Sequence, residues 1–140
     1  MDKIDIYDSL DPKDAKLYSP LALAYVGDSV FELMVRAMFV LEKDYPVSLM
    51  HKRATKFVSA RAQSAIIENI SEFLTEQETE IYKRGRNAKV HTMAKNMSVE
   101  EYKKSTGFEA LVGYLFITGQ LARLKEIFSL TVDVVEKSKP

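Results

Sequence analysis

Cysteine is absent from this 140-residue chain, and histidine occurs only twice. Disulfides and thiolate-based zinc sites are therefore excluded, and little imidazole is available for chemistry. A long uninterrupted apolar run is also missing, because the apolar stretch after Pro20 is broken by Asp28, Glu32 and Arg36. We expect neither a signal peptide nor a membrane span, and a reducing cytoplasm is the expected location.

The chain has no excess of either charge, since 20 Lys and Arg balance 20 Asp and Glu. A strongly basic nucleic-acid binder is thereby excluded, but the charges are segregated along the chain. No acidic residue occurs in residues 45–67 or 81–99. The basic residues of these stretches include Lys52, Arg53, Lys56, Arg61, Lys83, Arg84, Arg86, Lys89 and Lys95. This segregation fits either a phosphate-binding face or ordinary solvated helix surfaces, and charge alone leaves both open.

Start signals of helices recur along the sequence, and no segment shows the sustained alternation of a strand. Ser19 followed by Pro20 predicts an N-cap and first turn for a long helix over residues 20–42. This helix is apolar nearly all round, which predicts a central, buried position. Ser48 is expected to cap a second long helix that reaches about residue 70, with Lys52, Lys56, Ser59 and Gln63 on its outer side.

Two further helix starts are predicted by capping-box spacings, Thr75 with Glu78 and Ser98 with Glu101. Gly85 is expected to end the first of these helices in a left-handed conformation, before an exposed basic loop over residues 86–97. The apolar face of the last helix is formed by Leu121, Leu124, Ile127, Phe128 and Val132. Together these signals predict an all-α fold of about six helices in one domain covering residues 1–140.

Asp28 is unusual because it follows Gly27 in the middle of a hydrophobic helix. An ionised carboxylate buried there without a partner would be costly, so Asp28 must reach water, pair with a cationic side chain or bind a metal. Glu109 lies in a similar apolar segment, which suggests that the two helices meet and share a cation. Magnesium suits this arrangement because it takes one or two protein carboxylates and keeps several waters. An ion pair with a basic residue is the alternative, and periodicity does not decide between them.

Two blocks around these carboxylates resemble the ribonuclease III family. AYVGDSV, residues 24–30, resembles the end of the family signature, in which a Gly-Asp pair on a buried helix provides a metal-binding aspartate. FEALVG, residues 108–113, resembles the second catalytic block, whose glutamate is the other central ligand. LALA at residues 21–24, KRGRNAK at 83–89 and STGFEAL at 105–111 make the match specific to the Mini-ribonuclease III branch.

This resemblance implies a ribonuclease III-type catalytic domain with Asp28 and Glu109 as catalytic residues and Mg²⁺ ligands. It implies hydrolysis of double-stranded RNA by metal-activated water to give 5′-phosphate and 3′-hydroxyl ends, with ribosomal RNA precursors as the natural substrate. It also implies a homodimer, for which the candidate interface residues are Tyr25, Val26, Val30 and Phe31, although these apolar residues fit the core of one chain equally well. No separate double-stranded-RNA-binding domain is expected, so the catalytic domain must bind the RNA itself. The residues assigned to RNA binding are Lys52, Arg53, Lys56, Arg84, Arg86, Asn87 and Lys89.

The chain departs from full-length ribonuclease III where the larger enzymes carry additional carboxylates. Leu21 and Ala24 stand at the matching positions of the signature, and Thr106 stands three residues before Glu109. These differences leave few metal ligands. A non-catalytic helical RNA-binding or protein-interaction module on the same fold is therefore the competing hypothesis.

Other polar groups offer weaker alternatives. Glu32, one turn beyond Asp28, is expected to pair with Arg36. His51 and His91 would suit a metal-free ribonuclease that uses two histidines as acid and base. Nothing in the sequence places these histidines together, and we expect phosphate contact or simple exposure for both.

Overall fold

The computed structural model describes residues 7–89 and 98–137, and every regular element within these ranges is helical. The α-helices are α1 (Pro20–Glu42), α2 (Val47–Val58), α3 (Ala60–Ile70), α4 (Glu76–Arg86), α5 (Val99–Ile117) and α6 (Leu121–Lys137). Short 3-10 helices precede α1 at Asp14–Leu17 and follow α3 at Ser71–Phe73. The predicted all-α fold is confirmed. No helix in the described ranges is long and apolar enough to cross a membrane.

Local capping explains where three of the helices begin. The Ser19 side chain accepts a hydrogen bond at the start of α1, and the bounds of α1 are those predicted. Thr75 and Glu78 form both bonds of the capping box that starts α4, at 3.1 and 2.9 Å. Ser98 accepts from the backbone N–H of Glu101 at 3.0 Å and caps α5. Each cap satisfies a backbone donor that has no partner inside the helix.

The prediction of one helix over residues 48–70 is wrong, because the helix is interrupted at Ser59, which separates α2 from α3. The backbone of Ser59 is extended, with φ −66° and ψ 153°, and its hydroxyl accepts from the N–H of Ala62 to cap α3. Ser48 is not the cap of α2, which begins one residue earlier without a side-chain cap. The break turns Gln63 inward. This side chain is only 1% exposed, whereas one continuous helix placed it on the outer side.

The central helix of the fold is α5, and the prediction that α1 holds this position is wrong. Every residue of α5 from Ser105 to Leu115 is buried except Glu109, and α1, α3 and α4 pack around it. The side of α1 that faces the core carries Leu23, Ala24, Gly27, Phe31, Val35 and Phe39. Its exposed large apolar residues are Leu21, Tyr25, Leu33, Val40 and Leu41. A helix that is apolar on all sides is predicted to be buried, but the other helices of this chain cover only one side of α1.

Gly85 does not end α4, which corrects another expectation. The helix continues to Arg86, and Asn87 is its C-cap. Gly85 is buried against α5, where an added Cβ would lie 2.8 Å from the Cβ of Ala110. Its small size, and not a left-handed conformation, is what the fold requires there. The predicted basic loop therefore begins after Arg86, and its residues 90–97 lie outside the described residues.

Candidate active site

Helices α1 and α5 cross in direct backbone contact at Gly27 and Gly113. A Cβ added to Gly27 would lie 1.7 Å from the carbonyl oxygen of Glu109, and one added to Gly113 would lie 1.9 Å from the carbonyl oxygen of Leu23. Any side chain at either glycine would therefore force the helices apart. Because Asp28 follows Gly27 and Glu109 lies one turn before Gly113, the crossing places the two acidic residues side by side.

Asp28 acts on the carboxyl group of Glu109, by a hydrogen bond when one of the two groups is protonated and by charge repulsion when both are ionised. Asp28 is exposed at the edge of α1, and Glu109 is half-buried. Burial, together with the hydrogen bond and the negative charge of Asp28, raises the pKa of Glu109 from 4.5 to about 8, and a hydrogen bond with Gln63 opposes this rise. Near neutral pH the metal-free pair therefore holds a proton, because burial of Glu109 and the neighbouring negative charge of Asp28 both disfavour its ionised form. A bound cation would relieve the same repulsion.

Gln63 belongs to this site, although one continuous helix over residues 48–70 predicted it on an outer face. Its Oε1 accepts a hydrogen bond from the hydroxyl of Ser105, which lies one turn before Glu109 on α5. A signal for its burial is present in the sequence. Gln63 has the helical spacing that places it on one face with Ile66, Ile67 and Ile70, all of which are buried.

The alternative environment for Asp28, an ion pair with a basic side chain, is not observed. Asp28 makes no ion pair with Lys or Arg within the described ranges. Glu32 instead pairs with Arg36 at 2.8 Å on the exposed side of α1, as predicted.

The described part of the chain contains no group of three or more His, Cys, Asp or Glu side chains that could hold a metal ion. Leu21 is partly exposed, whereas Ala24 and Thr106 are buried. The hydroxyl of Thr106 donates to the carbonyl oxygen of Tyr102 in the preceding turn, at 3.0 Å. A cation at Asp28 and Glu109 would therefore complete its ligands with water and substrate oxygens, which is usual for magnesium.

The basic residues predicted on α2 differ in their surroundings. Lys52 and Lys56 are exposed. The guanidinium of Arg53 lies 4.7 Å from the centre of the Tyr45 ring, in a cation–π contact that limits its motion. His51 is exposed on the same helix, and His91 lies outside the described residues. The assignment of Lys52, Arg53 and Lys56 to RNA stays a prediction.

The end of α4 approaches the half of α5 that carries Glu109. Arg86 lies over the Tyr82 ring, with 5.7 Å between the guanidinium carbon and the ring centre, and its Nε donates to Asn87 at 3.3 Å. The Tyr82 ring packs against Gly107, where an added Cβ would lie 2.7 Å from it. Arg86 is therefore held over the Tyr82 ring on the side of α5 that carries Gly107.

Arg84 and Lys89 complete the predicted RNA-binding set. Arg84 donates from Nη2 to the carbonyl oxygen of Tyr18 at 3.1 Å, which links α4 to the segment before α1. Its Nη1 is buried without a hydrogen-bond partner among the described residues. Lys89 is exposed. The structure thus gives Arg84 a role in packing, and contact with RNA stays a prediction for both residues.

Comparison with known proteins assigns the chain to a family. Residues 21–120, well over half of the chain, match the family model of the ribonuclease III domain. The chain belongs to the ribonuclease III family. The matched residues of this ribonuclease III domain begin in α1 and end in the turn before α6, so they include both helices of the crossing.

Several curated relatives of this ribonuclease III domain are named Mini-ribonuclease 3. The relative from Thermoanaerobacter sp. is 44% identical over 85% of this chain and 84% of its own length. The relative from Clostridium tetani is 40% identical over 99% of this chain and 92% of its own length. The resemblance to the Mini-ribonuclease III branch is confirmed. A crystal structure of a Fusobacterium nucleatum protein superimposes with a TM-score of 0.77 at 30% identity, covering 83% of this chain and 94% of that one.

Proposed function

We propose that this ribonuclease III domain is a magnesium-dependent endoribonuclease that hydrolyses double-stranded RNA, with Asp28 and Glu109 as its metal ligands. The observation that supports this most is the crossing at Gly27 and Gly113, which brings two carboxyl groups from distant parts of the chain into hydrogen-bonding contact. Such close contact between a half-buried carboxylate and a second negative charge is unfavourable unless a proton or a cation lies between them.

The donor set fits magnesium. Two carboxylates and no sulfur or imidazole ligand are typical of sites for hard divalent cations. When bound there, Mg²⁺ would activate water for attack on the phosphorus and stabilise the leaving oxygen. Asp28 presents its carboxylate to solvent and so to the substrate, while half-buried Glu109 anchors the site from α5. The glycine contacts hold these two backbones at a fixed separation, which keeps the ligands in position.

For the RNA, we propose contact through the two basic segments, since double-stranded RNA is recognised mainly by its shape, phosphates and 2′-hydroxyls. Arg86 is the best-supported residue. It is already oriented by Tyr82 and Asn87. Exposed Lys52 and Lys56 would extend the phosphate contacts along α2. A neutral chain can bind an anion in this way because its acidic residues lie in other segments.

We also propose a homodimer formed through the exposed apolar side of α1. A groove of about 730 Å³, including the solvent at its mouth, is lined by Ser29, Val30, Leu33, Met34, Phe116, Leu121, Leu124 and Lys125. Tyr25, 83% exposed, and Leu33, 68% exposed, continue the same side of α1. Phe31, another candidate interface residue, is instead a core residue that packs edge-on against Phe108 with 5.0 Å between ring centres. Since Ser29 follows Asp28, a partner on this groove would lie next to the acidic pair.

The resemblance to the family supports three further properties: the chemistry of the cut ends, the natural substrate and the location. We expect 5′-phosphate and 3′-hydroxyl ends, cleavage of ribosomal RNA precursors and a cytoplasmic location. Mapping the cut ends of a precursor transcript after incubation with the protein tests the first two. Ends that carry 3′-phosphate or a cyclic phosphate would contradict the proposed attack by water.

Cleavage of a long RNA duplex tests the central proposal. We expect cutting with Mg²⁺, none with EDTA, and a loss of at least about 100-fold in the Asp28→Asn and Glu109→Gln variants. Glu32→Gln is a matched control, because it removes a carboxylate from the same helix whose ion pair, among the described residues, is with Arg36. Cutting that survives both site substitutions would refute the mechanism.

The competing hypothesis, a non-catalytic RNA-binding module, is supported by the small number of carboxylates. Leu21, Ala24 and Thr106 occupy the positions where larger enzymes have more of them. Duplex binding by the natural protein, without cleavage at any Mg²⁺ concentration, would favour this module.

A further inference from the structure

A polar pair, Gln63 and Ser105, is buried where helix α3 meets helix α5. Gln63 is 1% exposed and Ser105 is 7% exposed. Burying an amide costs free energy unless its hydrogen bonds are replaced, and an apolar side chain of similar size would fill the same space without that cost. Packing alone therefore does not account for glutamine at this position.

The hydroxyl of Ser105 bonds differently from those of three buried threonines. Those of Thr106, Thr118 and Thr131 each donate to the carbonyl oxygen one turn earlier in their own helix. Ser105 instead donates across the helix interface to Oε1 of Gln63. With its Oε1 on Ser105, Gln63 has its amide nitrogen left as the donor for another group.

The group beside this amide is the carboxyl group of Glu109. It lies four residues after Ser105 on α5, so both side chains are on the same face of that helix. Gln63 and Asp28 both act on this carboxyl group, since Asp28 raises its pKa and Gln63 lowers it. Three helices therefore meet at one carboxyl group: α3 through Gln63, α5 through Glu109 itself, and α1 through Asp28.

We propose that Gln63 is a positioning residue of the metal site, whose amide, oriented by the Ser105 hydroxyl, holds the Glu109 carboxylate in place beside Asp28. This inference rests on the proposed function, since it assigns Gln63 a part in the same site. The amide donates to the ionised carboxylate and so favours the form that binds a cation. Residues that orient metal ligands in this way typically contribute 10- to 100-fold to metal affinity.

Calorimetric titration of the RNA-free protein with Mn²⁺ tests this directly, because Mn²⁺ also prefers carboxylate and water ligands. We expect Gln63→Met, which preserves the volume but removes the amide, to weaken Mn²⁺ binding by about 10- to 100-fold. Thr131→Val is the matched control, since it removes a buried hydroxyl that bonds only within its own helix α6. We expect its Mn²⁺ affinity to remain that of the natural protein.

A second variant, Ser105→Ala, keeps the amide and removes only the group that orients it. Loss of one hydrogen bond, about 0.5–1.5 kcal/mol, predicts Mn²⁺ binding weakened by roughly 2- to 10-fold. If Gln63→Met does not fold, the Mn²⁺ affinity of Ser105→Ala still tests the positioning role of Gln63. Unchanged Mn²⁺ affinity in the variants that fold, or an equal loss in Thr131→Val, would overturn the proposal.

The half-saturating Mg²⁺ concentration for duplex cleavage separates this inference from the proposed function. We expect Gln63→Met to raise it, with duplex binding in EDTA unchanged and part of the rate recovered at high Mg²⁺. If the natural protein cleaves with Mg²⁺ and Asp28→Asn does not, while Gln63→Met has normal Mg²⁺ dependence, only the role of Gln63 is wrong. If the natural protein neither binds Mn²⁺ nor cleaves, the proposed function itself is wrong.

Discussion

Replacing Glu109 by glutamine should make the metal-free protein more stable at alkaline pH, although the proposed activity would be lost. Glutamine has the same shape and can still hydrogen-bond with both Asp28 and Gln63, but it carries no charge. In the natural protein, burial and the nearby Asp28 raise the pKa of Glu109 from 4.5 to about 8. The folded state therefore holds this proton more tightly than the unfolded state does.

The sign of the pH dependence follows from this difference. The contribution of Glu109 to stability is fully present below about pH 4.5 and is lost as the pH rises through about 8. At about 1.4 kcal/mol for each unit of pKa, the upper limit of the loss is about 5 kcal/mol. Since Glu109 keeps some contact with water, we expect Glu109→Gln to be more stable than the natural protein by about 2 kcal/mol at pH 8.5.

Urea unfolding followed by circular dichroism, in EDTA, measures this difference between pH 5 and pH 8.5. The two proteins should have similar free energies of unfolding at pH 5 and diverge as the pH rises. Addition of Mg²⁺ at pH 8.5 should stabilise the natural protein and leave Glu109→Gln unchanged, because a ligand that binds only the folded state stabilises it. Glu32→Gln, an exposed control on α1, should show neither effect. A constant difference across this pH range would refute the reasoning.

Three other predictions concern the crossing, the RNA and the dimer. Gly27→Ala should lower the free energy of unfolding by at least about 1–3 kcal/mol and the cleavage rate by about 100-fold, because its Cβ would lie 1.7 Å from the carbonyl oxygen of Glu109. Chemical denaturation measures the stability, and cleavage kinetics measure the rate. Arg86→Ala and Lys52→Ala should each reduce by about one the slope of the logarithm of duplex affinity against the logarithm of salt concentration, as measured by fluorescence anisotropy. An unchanged slope would mean that these side chains are solvated and do not contact phosphate. Leu33→Glu should give monomers in light scattering, whereas Leu17→Glu, at a more exposed position outside α1, should not.

Helix boundaries set by short-range signals could be predicted from the sequence. Ser19 before Pro20, and Thr75 three residues before Glu78, place a hydrogen-bond acceptor where the first free N–H groups of a helix must lie. The break at Ser59 could not be predicted in this way. The apolar pattern continues through it, and the extended backbone there is selected by the packing of α3 on α5.

The acidic pair was predictable in part. Isolated carboxylates at Asp28 and Glu109 in apolar helices indicated a shared site, but the sequence does not state how closely two helices approach. That approach depends on Gly27 and Gly113 meeting in space, which is a long-range contact. Gln63 was missed because its orientation depends on the unforeseen break at Ser59.

The central claim is that Asp28 and Glu109 bind one divalent cation between them. A crystal structure of the protein with Mn²⁺, with the metal located by its anomalous scattering, tests it most directly. We expect a peak within about 2.0–2.3 Å of a carboxylate oxygen from each residue, close to the distances of octahedral oxygen sites. Saturating Mn²⁺ with no peak that contacts both carboxylates would contradict the claim.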